Sequence, residues 1–277
     1  MSARPPASTP AKSATRGGRR APTVGAPALE LAGRVVLVTG AGVRVGRAIA
    51  EDLGRAGARV AVHYARSAAG ARATVRAIEA TGGAGAGRAF AADLVVPGSA
   101  AALVANVVAW AGRLDVLVCS AAGFDRRPFE TIDDRAWREM LALNLEAPFR
   151  LAQAAAPHLR KRRGVIVNIL DVAAFHAWPG YAHYGAAKAG LAMLTRVLAL
   201  ELAPKVRVVA VAPGTVAFPE SYPEADRRRI IGRIPLGRVG SPADVARVVH
   251  FLCTAGYITG STVTVDGGRM AGTLGKL

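Results

Sequence analysis

From Gly33 onward the chain alternates short apolar runs with longer stretches whose apolar positions return every three or four residues. The short runs are Arg34 to Thr39, Arg59 to Tyr64, Gly87 to Ala91, Leu114 to Cys119, Val165 to Leu170, Val206 to Val211 and Thr262 to Val265. Nearly continuous apolar character over so few residues predicts strands covered on both faces, and the periodic segments between them predict crossover helices. Right-handed crossovers then give an α/β fold, a doubly wound parallel sheet of about seven strands in three layers. In such sheets ligands bind beyond the carboxyl ends of the strands, so the residues just after each run are where chemistry is expected.

The first 29 residues break this pattern. They are rich in Pro, Ala, Ser and Gly, carry Arg4, Lys12, Arg16, Arg19 and Arg20 without an acid, and show no apolar periodicity. Such a segment cannot offset its ordering entropy by burial, which predicts a disordered basic tail over 1–29 and a single domain over 30–277. An Arg-rich, acid-poor start also resembles a transit peptide, but an amphipathic face is missing. With 277 residues and 52% hydrophobic content the chain can bury one sizeable core.

The formal net charge is +17, only part of it from the tail. A surface this basic attracts polyanions. For nucleic acid the sequence offers charge alone, without zinc-finger spacing, an aromatic RNP-like strand or a basic helix followed by heptads, so no specific nucleic-acid partner is expected. No apolar run reaches bilayer length, so no membrane partner is expected either. Cys119 and Cys253 stand far apart without a His or Cys neighbour, which suggests neither a disulfide framework nor a metal site and fits a cytoplasmic protein.

After the first run comes Thr39-Gly40-Ala41-Gly42-Val43-Arg44-Val45-Gly46, a glycine-rich turn opening a helix. Such a turn lets backbone N–H groups and a helix N-terminus approach a pyrophosphate, as in Rossmann-like folds, although a tight strand-to-helix turn also accounts for glycines. At the end of the second run an NAD-selective site would place an acid on the ribose hydroxyls. Here stand His63, Tyr64, Arg66 and Ser67, with no acid between Asp52 and Glu79. Arg66, Ser67 and His63 suit a 2′-phosphate instead, which points to NADPH. Asp93, after the third run, either accepts from an adenine amino group or caps a helix.

Tyr184 and Lys188 lie four apart in a helical stretch and so share a face. A phenol is a poor acid at neutral pH, and a neighbouring ammonium is expected to lower its pKa toward the working range. A Tyr and Lys at this spacing are also an ordinary packed helix pair; the preceding cofactor turn gives the pair meaning.

The glycine turn, Asp93, Asn144, Tyr184-x-x-x-Lys188 and Pro213-Gly214, in this order, resemble the short-chain dehydrogenase/reductase family from about Gly33 to Arg269. The resemblance implies a cofactor held along Gly40, Arg44, Val45 and Gly46, at Asp93 and Leu94, at Ser120 and Ala121, at Tyr184 and Lys188, and at Pro213, Gly214 and Thr215. It also implies that Asn144 holds a water in a proton relay and that the chain forms a homotetramer. Asp171 stands where the family usually has a carbonyl-polarising Ser. A carboxylate accepts hydrogen bonds rather than donating them, which suits a C=N substrate. Asp171, Arg44, Phe124 and the His63 to Ser67 segment together resemble the pteridine reductases, where Phe124 would stack on the pterin. Trp178 and Tyr181 either wall that pocket or pack as loop residues.

The expected activity is therefore NADPH-dependent reduction of a pteridine or dihydrofolate-like C=N bond. The alternatives are a carbonyl reductase on the same fold and a non-catalytic NADPH-binding protein. Three departures weigh on the substrate. Cys119-Ser120-Ala121-Ala122 replaces the family's Asn-Asn-Ala-Gly, Ala122 lacks the hydroxyl of the pteridine reductases, and Val209 replaces a common Asn. Val216 to Leu236, with Glu220, Tyr222 and Arg227 to Arg229, is the expected lid.

Overall fold

The structure, a computed structural model, describes residues 30–218 and 223–272. The expected tail and the lid residues Glu220 and Tyr222 lie outside the described residues. Seven strands, β1 (Val35–Val38), β2 (Arg59–Tyr64), β3 (Gly87–Ala91), β4 (Val116–Cys119), β5 (Val165–Ile169), β6 (Arg207–Pro213) and β7 (Thr262–Val265), form one sheet. All pairings are parallel and the order is β3-β2-β1-β4-β5-β6-β7. The order reverses at β1, which puts a crevice between the ends of β1 and β4.

Alternation along each strand decides which layer it meets. Val36 and Val38 of β1 pack with the helices α1 (Arg44–Arg55), α2 (Ala68–Gly82) and α8 (Pro242–Thr254). Val35 and Leu37 face the opposite layer, built from α3 (Ser99–Ala111), α5 (Ala147–Arg162) and α6 (Ala182–Glu201). Every residue of β1, β4 and β5 is buried, as apolar runs sandwiched between helices require.

Polar groups tie the strand ends together. Asp115 is buried at the start of β4, accepts from Val35 N at 2.9 Å and meets the Arg113 guanidinium through both oxygens. Thr39 Oγ1 accepts from Ser120 N at 2.9 Å and Ala121 N at 3.0 Å, stapling the end of β1 to the loop after β4. This hydroxyl braces the central strands where the family asparagines are missing. The short helix α4 (Asp134–Leu141) starts on the Asp133 cap, whose side chain accepts from Ala136 N. It then runs into one π-helical turn, Ala142–Glu146, containing Asn144. Another short helix, α7 (Glu224–Ile231), lies between β6 and α8.

Candidate active site

The glycine turn between β1 and α1 is built for close approach. A Cβ on Gly46 would lie 2.3 Å from Gly40 O, so strand and helix meet there only without a side chain. Gly40 itself sits at φ +65. The α1 helix has neither a side-chain cap nor an acid in its first turn, so its positive end is uncompensated. Arg44, exposed on this turn, takes φ +48, a left-handed conformation that costs a non-glycine residue about 1 kcal/mol. The turn fits a dinucleotide pyrophosphate, with Arg44, Val45 and Gly46 at its rim.

Beyond β2, Arg66 is exposed and Ser67 precedes α2 without capping it. His63 behaves differently from the expectation. It is buried, its Nδ1 accepts from Gly40 N at 3.1 Å, and its Nε2 lies 3.0 Å from Ala92 O. Burial lowers its pKa, so a neutral ring bridges three strand ends and offers no nitrogen to a phosphate. Asp93 caps no helix, because α3 begins at Ser99 behind Gly98; its carboxylate is exposed and accepts from Val95 N at 3.2 Å. Leu94, the next residue, is buried.

At the carboxyl ends of β4 and β5 the catalytic candidates meet. Tyr184 Oη donates to Asp171 Oδ2 at 3.0 Å, and Asp171 Oδ1 accepts from Ala173 N at 2.8 Å as the cap of the turn Val172–Ala174. Lys188 Nζ donates to Ile169 O at 3.0 Å and lies 5.7 Å from the centre of the Tyr184 ring. Asn144 Nδ2 donates to Gly123 O and Met140 O, each at 3.1 Å, and its Oδ1 is buried with no partner among the described residues.

Burial dominates the electrostatics here. It raises the Asp171 pKa, although Ala173 N, Tyr184, Lys188 and Arg269 all pull the other way. Burial first, then the Asp171 charge and hydrogen bond, push Tyr184 well above the ordinary phenol range. Helical spacing alone predicted the opposite sign. The carboxylate, not the ammonium, is hydrogen-bonded to the phenol, while the ammonium turns to Ile169 O. Lys188 is lowered by burial to about 8.

Three aromatic rings surround this centre. Phe124 stacks on Tyr181 at 4.8 Å and meets the Tyr184 ring edge-on at 5.0 Å, and Trp178 meets Tyr181 edge-on at 5.8 Å. Phe124 is 59% exposed, so a ligand can cover it. Pro213 ends β6 and Gly214 and Thr215 follow it, with Gly214 N bonded to Val265 O of β7. Sequence reasoning missed Arg269. Its Nη1 donates to Thr215 Oγ1 at 3.2 Å and its guanidinium lies 5.1 Å from the Trp178 ring centre. Its place in the turn that follows β7, at the carboxyl edge of the sheet, was the available signal.

The sequence model of a family described as enoyl-(acyl carrier protein) reductase matches residues 40–269, which span the glycine turn, Asn144, Tyr184, Lys188 and the β7 turn. The chain belongs to the short-chain dehydrogenase/reductase family. Family membership makes it an oxidoreductase that uses a nicotinamide cofactor. Among its relatives is the 3beta-hydroxysteroid dehydrogenase 1 of Eggerthella lenta, 38% identical over 86% of this chain and 94% of that protein. Another is the 3-oxoacyl-(acyl-carrier-protein) reductase FabG of Pseudomonas aeruginosa, 38% identical over 87% of this chain and 98% of that protein. A solved dehydrogenase/reductase from Sinorhizobium meliloti 1021 matches with TM-score 0.81 and 34% identity, over 87% of this chain and 97% of that one. The narrower resemblance to pteridine reductases finds no support in these relatives. Among the described residues no helix is long and apolar enough to cross a membrane, and no cluster of metal-ligating side chains occurs.

Proposed function

We propose that this chain is an NADPH-dependent carbonyl reductase acting on a small ketone, in which Asp171 takes the place of the usual serine. The observation that carries the reading is the part-buried 3.0 Å hydrogen bond between Tyr184 Oη and Asp171 Oδ2, at a site where burial raises the Asp171 pKa. A phenol with a raised pKa is a weak acid on its own, so its proton donation to a carbonyl oxygen depends on the second acid beside it, Asp171. The names of the two relatives support a ketone or its alcohol as substrate: a 3-oxoacyl group and a 3β-hydroxysteroid.

A bound nicotinamide dinucleotide supplies the hydride. Arg44, Val45 and Gly46 would hold its pyrophosphate and Arg66 with Ser67 its 2′-phosphate, which supports NADPH over NADH. As the carbonyl carbon is reduced, the substrate oxygen takes the Tyr184 hydroxyl proton. A phenolate left beside a carboxylate is strongly disfavoured, so a protonated Asp171 passes its own proton to Tyr184 Oη in the same relay. With Asp171 protonated, the hydrogen bond that Tyr184 Oη donates to Asp171 Oδ2 at 3.0 Å reverses, the carboxylic acid donating to the phenol oxygen. The proton ends on the substrate, and the Asp171 carboxylate is left facing the Lys188 charge.

The direct test is oxidation of NADPH by purified protein with ketones and dihydropteridines, NADH run alongside. Ketone turnover preferring NADPH is the expected result. Turnover of dihydropteridines alone would overturn it and favour a second reading, in which an ionised Asp171 accepts from ring N–H groups while Phe124 stacks on the heterocycle. Assembly as a cytoplasmic homotetramer belongs to the same proposal. The assembly part is supported by an apolar groove between the π-helical turn, α5 and α6, lined by Leu145, Phe149, Met193 and Val197.

A further inference from the structure

The end of β7 turns sharply toward the site. Asp266 accepts from Gly268 N at 3.0 Å and Met270 N at 2.7 Å, and Gly267 and Gly268 take φ +65 and +88. A Cβ on Gly267 would stand 2.6 Å from Ile234 Cγ2, so this turn is pressed against the segment after α7 and cannot drift. Arg269 leaves the turn with its direction fixed. It reaches Thr215 Oγ1 at the end of β6 and the face of Trp178, which packs against the buried cluster of Met140, Ala173 and Tyr184.

Three donors therefore gather beside the reacting centre with little to accept from them. Among the described residues no carboxylate forms an ion pair with Arg269, although its charge is felt at Asp171. Thr215 Oγ1 already accepts from Arg269, which leaves its hydroxyl hydrogen to donate. Trp178 Nε1 is buried with no acceptor among the described residues. A guanidinium stacked on an aromatic face, with a hydroxyl attached, matches a planar carboxylate.

We propose that Arg269, backed by Thr215 and Trp178, is a specificity-determining residue that seats a carboxylate of the substrate, so that the preferred substrates are keto acids rather than neutral ketones. The assignment rests on the carbonyl reductase reading for its reaction and on the geometry of Arg269 for its selectivity. The two parts separate experimentally.

In the full chain, kcat/KM is measured for a keto acid and its methyl ester, in the native protein and in Arg269→Gln. Calorimetric titration with benzoate and benzamide reads binding without turnover. The expected result is at least a tenfold loss of the acid-over-ester preference in R269Q, together with loss of a benzoate-over-benzamide preference present in the native protein. Thr215→Val is expected to shift both in the same direction by less. An acid-over-ester ratio unchanged in R269Q overturns the proposal, as does a native protein binding benzoate no better than benzamide. If benzoate selectivity depends on Arg269 but no ketone is reduced, the carboxylate seat stands and the reductase reading falls. Circular dichroism of each variant separates loss of selectivity from loss of fold.

Discussion

Replacing Asp171 by Ser tests the proton relay most sharply. The carboxyl group makes two contacts, accepting from Ala173 N at 2.8 Å and from Tyr184 Oη at 3.0 Å. Serine is as good a cap as aspartate, so the turn at Val172 survives at a cost of a few tenths of a kcal/mol. What changes is titration. In the native protein the relay needs protonated Asp171, so ketone kcat/KM falls as pH rises through its raised pKa. A serine hydroxyl donates at every pH. One well-placed donor to a developing oxyanion is worth about 10²–10³ in rate, so above that limb D171S should exceed the native enzyme by roughly a hundredfold.

Stability should move with it. A buried acid whose folded pKa is raised contributes stability below its unfolded pKa and loses it as pH rises through the folded value, by about 1.4 kcal/mol for each pH unit separating the two. D171S is free of that loss, so its melting temperature relative to the native protein should rise from acid to neutral pH. The assays are initial rates of NADPH oxidation from pH 5 to 9 and thermal melts over the same range. If ketone turnover in D171S collapses and the low-pH limb persists, the carboxylate itself is needed and the relay is wrong.

Two further outcomes follow from the same electrostatics. Burial lowers Lys188 to about 8, below the ordinary lysine value of 10.5, so its ammonium weighs on the folded state at neutral pH and that burden lifts as pH rises from 8 to 10.5. Lys188→Met should therefore abolish turnover yet raise thermal stability at pH 7, by about 2 kcal/mol after the lost bond to Ile169 O, with the gain shrinking at pH 10.5. Arg66→Ala should weaken NADPH binding by about tenfold to a hundredfold and leave NADH almost unchanged, read by nucleotide fluorescence titration.

The fold was legible because its strands are buried on both faces, which leaves an unmistakable apolar pattern. The expected strands agree with the structure to within about two residues, β6 running on to Pro213 because Gly214 N still bonds to β7. The local pairing of Tyr184 and Lys188 was legible from helical spacing. What spacing does not carry is which group is nearest a given atom. Asp171 controls the phenol from thirteen residues away, and Arg269 reaches Thr215 across fifty-four. His63 looked like a phosphate ligand because a polar residue at a strand end usually reaches solvent. Here Gly40 N and Ala92 O from the neighbouring strands enclose it.

The exchange of serine for aspartate acquires a purpose once Arg269 is included. Lys188 and Arg269 both pull the Asp171 pKa down against the rise that burial imposes. A carboxylate seated on Arg269 offsets one of those cations, so the pull weakens and Asp171 holds its proton to higher pH. A coupling of about 1.4 kcal/mol is enough to change a protonation equilibrium tenfold. Linkage makes the effect reciprocal, so a protonated Asp171 also strengthens the seat for the anion. A serine would donate its hydrogen bond to any ketone, whatever its charge. Aspartate couples proton supply to substrate charge: the neutral ketone, which leaves Arg269 uncompensated, meets an Asp171 that gives up its proton at lower pH than it does beside an anionic substrate.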